Sequence, residues 1–169
     1  MCKVGFFEFI KVTPEAKLRD FQFRCLHGIL NVKYILKKKQ LIDHDLCSFC
    51  FSEKETIQHL FIECTRSKIF WENFRRFWKN ISGNIINLLP KHIILGKSDE
   101  GTLLNYLLIL GKWHLYLSSQ RQLQPNWEVF IALCNVKHEI EHIIAKKNNT
   151  LIKYTEKWDL FQSVITHPD

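Results

Sequence analysis

Cys47, Cys50, His59 and Cys64 are the residues of this chain best equipped for chemistry, and their spacing says which chemistry. Two thiols separated by two residues, Cys47-Ser-Phe-Cys50, can grip one ion from a tight turn, and a His and a third Cys from a following helix can complete a tetrahedron. Zn²⁺ suits such a set, because it accepts thiolate and imidazole and takes four ligands in structural sites. With three Cys and one His every position is filled by protein, so no water is left for the metal to activate. The arrangement therefore implies a structural ion and argues against a metallohydrolase. Two competing readings exist. Free Cys packs as a small hydrophobe, so these are buried thiols beside an incidental His; or Cys47 and Cys50 are a redox pair, for which no βαβ pattern surrounds them. His44, three residues before Cys47, is the one substitute ligand. His27, His92, His114, His138 and His142 lack a partner pattern and read as core or surface residues, and Cys2, Cys25 and Cys134 as terminal or core thiols.

These four ligands need a turn, a helix, and a break in that helix. Asp43, Asp45 and Ser52 flank the cysteine turn, and Ser52-x-x-Glu55 has the pattern of a capping box opening a helix with Ile57, Leu60 and Phe61 inward. Residues five apart on a continuous helix point about 140° away from each other. For His59 and Cys64 to meet at one ion, that helix must end or bend near Glu63, with Thr65 capping a fresh one.

The fresh helix, over 66–82, is amphipathic, with Ile69, Phe70, Phe74, Phe77, Trp78 and Ile81 set against Arg66, Lys68, Arg75, Arg76 and Lys79; Gly83 closes it. Upstream, Thr13-Pro14-Glu15 reads as a helix start, carrying Leu18, Phe21, Cys25, Leu26 and Ile29 on one face. A short helix through Val32, Ile35 and Leu36 runs into Lys37-Lys38-Lys39. Downstream, 84–98 is a linker containing Pro90 and the apolar run Ile93-Ile94-Leu95. Helices follow over about 99–121, from Pro125 to about 147 with Val129, Leu133, Val136, Ile140 and Ile144 in register, and near 151–162. No sustained period-two alternation appears. The expectation is an all-α fold, with a zinc-stapled helical N-terminal half over 1–83 and a helical C-terminal bundle over 99–169.

With 169 residues, 46% of them apolar and 24% charged, the chain can bury a substantial core. Six cysteines without a secretory-type leader do not make a disulfide framework, so a reducing nuclear or cytoplasmic compartment is expected. The most apolar segment, 103–117, holds Asn105, Lys112 and His114 and falls short of the roughly 20 apolar residues a membrane span needs. No membrane role is expected. Net charge is +7, distributed as +4 over residues 1–46, +4 over 47–97 and −1 over 98–169. Three thiolates and one Zn²⁺ would change this by only −1. Basic surface around the cluster favours a polyanion such as RNA or DNA, with a solvated, solubilising surface as the alternative. Lys37, Lys38, Lys39, Arg66, Arg75 and Arg76 are the candidate phosphate contacts. The aromatics at 70–78 could stack on bases, but at helical spacing they read as core.

At these residues the sequence resembles a known family, the zinc-binding region after the reverse transcriptase domain in LINE-type, non-LTR retrotransposons. The resemblance runs through Lys17-Leu-Arg-Asp-Phe-Gln-Phe-Arg-Cys-Leu-His27, Asp45-Leu-Cys-Ser-Phe-Cys50, Glu55-Thr-Ile-Gln-His-Leu-Phe-Ile-Glu-Cys64 and Ile69-Phe-Trp71. It implies Cys47, Cys50, His59 and Cys64 as zinc ligands in a module that helps engage template RNA or target DNA. The tail, with Leu95-Gly96-Lys97, Gly111-Lys-Trp113 and Ile144-Ala-Lys-Lys-Asn-Asn149, is similar in a less specific way to the end of such polyproteins. The family's polymerase uses paired carboxylates, and this chain has no adjacent Asp-Asp pair. It is therefore expected to be a non-catalytic terminal piece of such an element. The alternative is a zinc-stabilised docking domain that packs against a reverse transcriptase core or another protein.

Overall fold

The computed structural model describes residues 12–97 and 101–165, with side chains up to Phe161 in the last helix. The apolar opening stretch 1–10, Cys2 within it, and the first residues of the helix expected from 99 lie outside the described residues. The elements are α1 (Ala16–Leu26), α2 (Lys33–Lys38), a π-helical turn (His59–Glu63), α3 (Thr65–Ser82), α4 (Pro90–Leu95), α5 (Thr102–Gln120), α6 (Trp127–Lys147) and α7 (Leu151–Ile165). Among the described residues, β structure is confined to one isolated antiparallel bridge between Leu46 and Lys54. The fold is all-α, as expected.

α5 is the axis. Leu103, Leu104, Tyr106, Leu107, Leu108, Ile109, Leu110 and Leu115 are all buried, so this helix is apolar nearly all round and must be surrounded. α1 lays Leu18, Phe21 and Cys25 against the core. It begins two residues later than the Thr-Pro-Glu pattern implies. Glu15 holds the cap position, while the Thr13 hydroxyl accepts the Glu15 N–H at 3.2 Å. Ile29, expected on the inner face, follows the Gly28 turn (φ +68°) and is exposed.

α3 buries Phe70, Trp71, Phe74, Trp78 and Ile81 and ends at left-handed Gly83. Its inner face is rotated from the expected one: Ile69 is exposed and Trp71 is buried in its place. Phe70, Phe74 and Phe130 form a ring cluster, which places these aromatics in the core and away from any ligand. The segment read as a linker buries Ile86, Leu88 and Ile93 and carries α4. α7 folds back along α6, with His138 against Tyr154, Trp158 and Phe161. On α6 the inward residues are Phe130, Cys134, His138 and Ala145. The register Val129, Val136, Ile140 and Ile144 faces solvent.

Polar contacts cross between the first half and the second. Gln22 of α1 donates to the Ile94 carbonyl at 2.8 Å, and Lys112 Nζ of α5 donates to Gln22 Oε1 at 2.5 Å. No helix among the described residues is long and apolar enough to cross a membrane.

Candidate metal centre

The cysteine turn is built by a short backbone ladder. Glu55 N–H donates to the Asp45 carbonyl at 2.7 Å and Cys47 N–H to the Glu53 carbonyl at 2.8 Å, on either side of the Leu46–Lys54 bridge. Between them the chain reverses, and the Phe51 N–H closes the turn on the Cys47 carbonyl at 3.0 Å. Cys47 and Cys50 are thereby displayed from one side of a fixed loop.

The other two ligands come from the helix that follows. Thr56 caps it, its hydroxyl accepting the His59 N–H at 2.9 Å. The helix then widens into the π turn His59–Glu63, with Cys64 N–H donating to the His59 carbonyl at 2.9 Å. A turn that closes over five residues brings His59 and Cys64 toward one face, where an α-helix would set them apart. Cys64 then leaves the helix (φ −57°, ψ 132°) and α3 starts at Thr65. The break expected near Glu63 is present, and Cys64 holds the cap position expected of Thr65. Carbonyls at the end of the turn are satisfied by α3: Ser67 Oγ donates to Leu60 at 2.6 Å and Trp71 Nε1 to Phe61 at 2.7 Å.

The four candidate ligand atoms lie within 4.8 Å of one another. Cys47 Sγ stands 3.9 Å from Cys64 Sγ, and Cys50 Sγ stands 3.3 Å from His59 Nε2. Zn–S bonds of about 2.3 Å and Zn–N bonds of about 2.0 Å in a tetrahedron place ligand atoms roughly 3.5–3.8 Å apart, so the donor set fits this ion. Cys47 and Cys64 are fully buried, His59 nearly so, and Cys50 stands at the rim. His44, the alternative ligand, is exposed and outside the cluster. Without an ion, the thiols already share protons unequally. The Cys47–Cys64 hydrogen bond leaves the proton on Cys47, raising it, and favours thiolate at Cys64. Burial opposes ionisation of Cys50, but hydrogen bonds from Ser52, Glu53 and His59 outweigh it and bring the thiol down to about 7. Metal binding completes the deprotonation.

Glu55 does not do what its sequence pattern implied. Its carboxylate is fully buried and accepts Lys33 N–H at 3.2 Å, Ser48 N–H at 3.0 Å and Ser119 Oγ–H at 2.8 Å. It clamps α2 and the cysteine turn onto α5. Ser48, Ser119 and Gln124, which donates to the Phe49 carbonyl at 3.1 Å, are supporting residues that sequence reasoning missed. The partners of their side chains lie more than 60 residues away, and no local motif marks them.

The six basic candidates stand on and just beyond α2 and along α3. Lys37 pairs with Asp45 at 3.1 Å, a contact that holds the Asp45 carboxyl below its usual range. Lys38 Nζ lies 4.4 Å from the Tyr34 ring centroid, and Lys39 donates to Asn31 at 2.9 Å. Arg75 and Arg76 both reach Glu72, at 3.2 and 3.5 Å, and Arg75 also caps the Leu88 carbonyl. Arg66 lines a cleft with Asn73, Gln124 and Trp127.

No curated protein and no solved structure matches the chain. Residues 4–71 match the family model described as zinc-binding in reverse transcriptase. That match and the Cys47, Cys50, His59, Cys64 cluster together support a reverse-transcriptase-type zinc-binding domain in this part of the chain, and both point to zinc as its ion.

Proposed function

We propose that this chain is a non-catalytic, zinc-dependent module that binds RNA or DNA, of the kind found at the C-terminal end of LINE-type retrotransposon reverse transcriptases. The observation that carries the reading is the coincidence of the family match over residues 4–71 with four ligand atoms gathered in that same stretch. The ion shapes the module and does no chemistry, because protein fills all four positions. The basic excess of the first hundred residues supports a polyanionic ligand. Lys38, Lys39 and Arg66 are the leading phosphate contacts, while Lys37, paired with Asp45, and Arg75 and Arg76, which share Glu72, act with reduced effective charge. Reduced thiols at the site fit a nuclear or cytoplasmic setting.

The test is a titration of the zinc-loaded chain with short labelled RNA and DNA at two salt concentrations, with and without chelator. Affinity is expected to fall steeply with salt. It should also fall on joint replacement of Lys38, Lys39 and Arg66 by Gln, which leaves the Lys37–Asp45 pair intact. Stoichiometric zinc with no measurable nucleic-acid binding would reject this reading.

One observation favours docking onto a protein as a second reading. Val129, Val136, Ile140 and Ile143 are exposed along one stripe of α6, with exposures of 56, 54, 43 and 65%. Measurable association of the chain with a reverse transcriptase core, abolished by polar substitutions along the stripe, would establish it.

A further inference from the structure

Phe51 carries two costs that the fold does not recover. Its backbone sits in the left-handed region at φ +56°, which is unfavourable for a bulky side chain, and the residue is 64% exposed. The other non-glycine residues with positive φ among the described residues are Gln40, Gln122 and Asn149. Each stands two positions beyond the end of a helix, where a left-handed residue commonly terminates the turn, and each is polar. Phe51 follows no helix. A glycine there would satisfy the geometry of the cysteine turn without strain and without displaying an aromatic ring to water.

The ring is also held on an unusually well-fixed support. Phe51 N–H bonds to the Cys47 carbonyl, and its neighbour Cys50 is one of the candidate ligands. The loop beneath it is tied through the Leu46–Lys54 bridge to Asp45 and Glu55, and through these to α2 by Lys37–Asp45 and by Tyr34 N–H to the Glu55 carbonyl at 3.1 Å. An aromatic face on a loop whose base is tied to a lysine-bearing helix is the combination that single-stranded nucleic acids meet in their binding proteins: a platform for the base and cations for the backbone. Lysine is depleted at the cores of protein interfaces, so the same surroundings disfavour a protein partner at this point.

We propose that Phe51 is a stacking platform for an unpaired nucleobase at the rim of the metal site, with the α2 lysines taking the flanking phosphates. The proposal rests on the nucleic-acid reading above and deepens it, because stacking on one face requires a base free of its duplex partner.

The experiment compares zinc-loaded wild type, Phe51→Gly and Phe51→Tyr by fluorescence anisotropy against a labelled 12-nucleotide single-stranded RNA, its DNA equivalent, and the corresponding duplexes. Phe51→Gly should retain one zinc per chain and unfold at the same or a higher temperature. Its affinity for single strands should fall roughly five- to hundredfold. Duplex affinity and the salt dependence of binding should stay at wild-type values, since no phosphate contact is lost, and Phe51→Tyr should bind single strands like wild type. Unchanged single-strand affinity in Phe51→Gly would overturn the proposal while leaving nucleic-acid binding intact. So would an equal loss for duplex and single strand, or loss of zinc or a lower melting temperature in that variant. Failure of the wild type to bind any of the four probes would overturn the proposal together with the reading beneath it.

Discussion

Ser119 near the end of α5 donates its hydroxyl hydrogen to Glu55 Oε2 across 2.8 Å, joining the cysteine turn to the central helix. Glu55 also accepts two backbone N–H groups, from Lys33 and Ser48. Removing the carboxylate leaves two buried donors and one part-buried donor without it. Glu55→Ala is expected to cost about 3 kcal/mol or more, measured by urea denaturation of the zinc-loaded chain. Ser119→Ala, which removes one donor and leaves the other two bonds, should cost about 1 kcal/mol. Equal effects of the two substitutions would show that the carboxylate is not the hub.

Metal removal should act on the fold, because two of the four candidate ligands belong to the core. Cys47 and Cys64 are fully buried and lie in the same apolar cluster as Phe61 and Leu60. Chelation, or Cys64→Ser, is expected to lower the melting temperature by roughly 10 °C or more. Hydrogen exchange should show the loss of protection centred on 45–66. A metal-free sample that melts with the loaded one would remove the ion's structural role.

Gly111 of α5 faces the Trp71 and Phe70 rings of α3. A Cβ there would lie 2.9 Å from Trp71 Cη2, 3.1 Å from its Cζ3 and 3.2 Å from Phe70 Cε1. Trp71 cannot easily yield, since it is buried and its Nε1 is bonded to the Phe61 carbonyl. Gly111→Ala should therefore destabilise by about 1–2 kcal/mol, even though alanine is the better helix former by about 1 kcal/mol. Adding Trp71→Phe to Gly111→Ala should cost less than the two single effects summed.

Lys112 sets a pH dependence. It is fully buried, and desolvation pulls it down to about 8, with Cys25 acting weakly in the other direction. The unfolded chain holds this proton up to about pH 10.4. Between these values the unfolded state binds more protons than the folded state, so the contribution of Lys112 to stability rises with pH through that window. It is complete above the unfolded value and lost as pH falls through 8. The change is on the order of 3 kcal/mol. Subtracting the pH–stability curve of Lys112→Met from that of wild type cancels the other titrating groups, and a flat difference would count against it.

The cluster of four candidate ligands was legible because coordination demands residue types at short, regular separations, and the clash between a five-residue spacing and an α-helix pointed to a break near Glu63, found at Cys64. What was hidden depends on distant partners. Ser52 and Glu55 satisfied a local capping pattern, while the carboxylate of Glu55 is taken by groups on α2, the cysteine turn and α5. Lys112 was visible only as a polar interruption of the apolar segment 103–117, and its enclosure by Gln22 and the Ile94 carbonyl depends on residues 90 and 18 positions away. On α3 and α6 the period was visible, but its phase was not. Apolar residues are more numerous than the inward positions, so Ile69 and the Val129 stripe could be sorted from the core only by their neighbours in space.

The four ligating groups do not meet solvent equally. Cys47 and Cys64 have their backs to the packed interior, whereas Cys50 stands at the opening. A competitor for an ion held by these groups would meet that sulfur first. The Ser52 hydroxyl and the Ser52 and Glu53 amides, which favour the Cys50 thiolate, would therefore slow the loss of a bound ion.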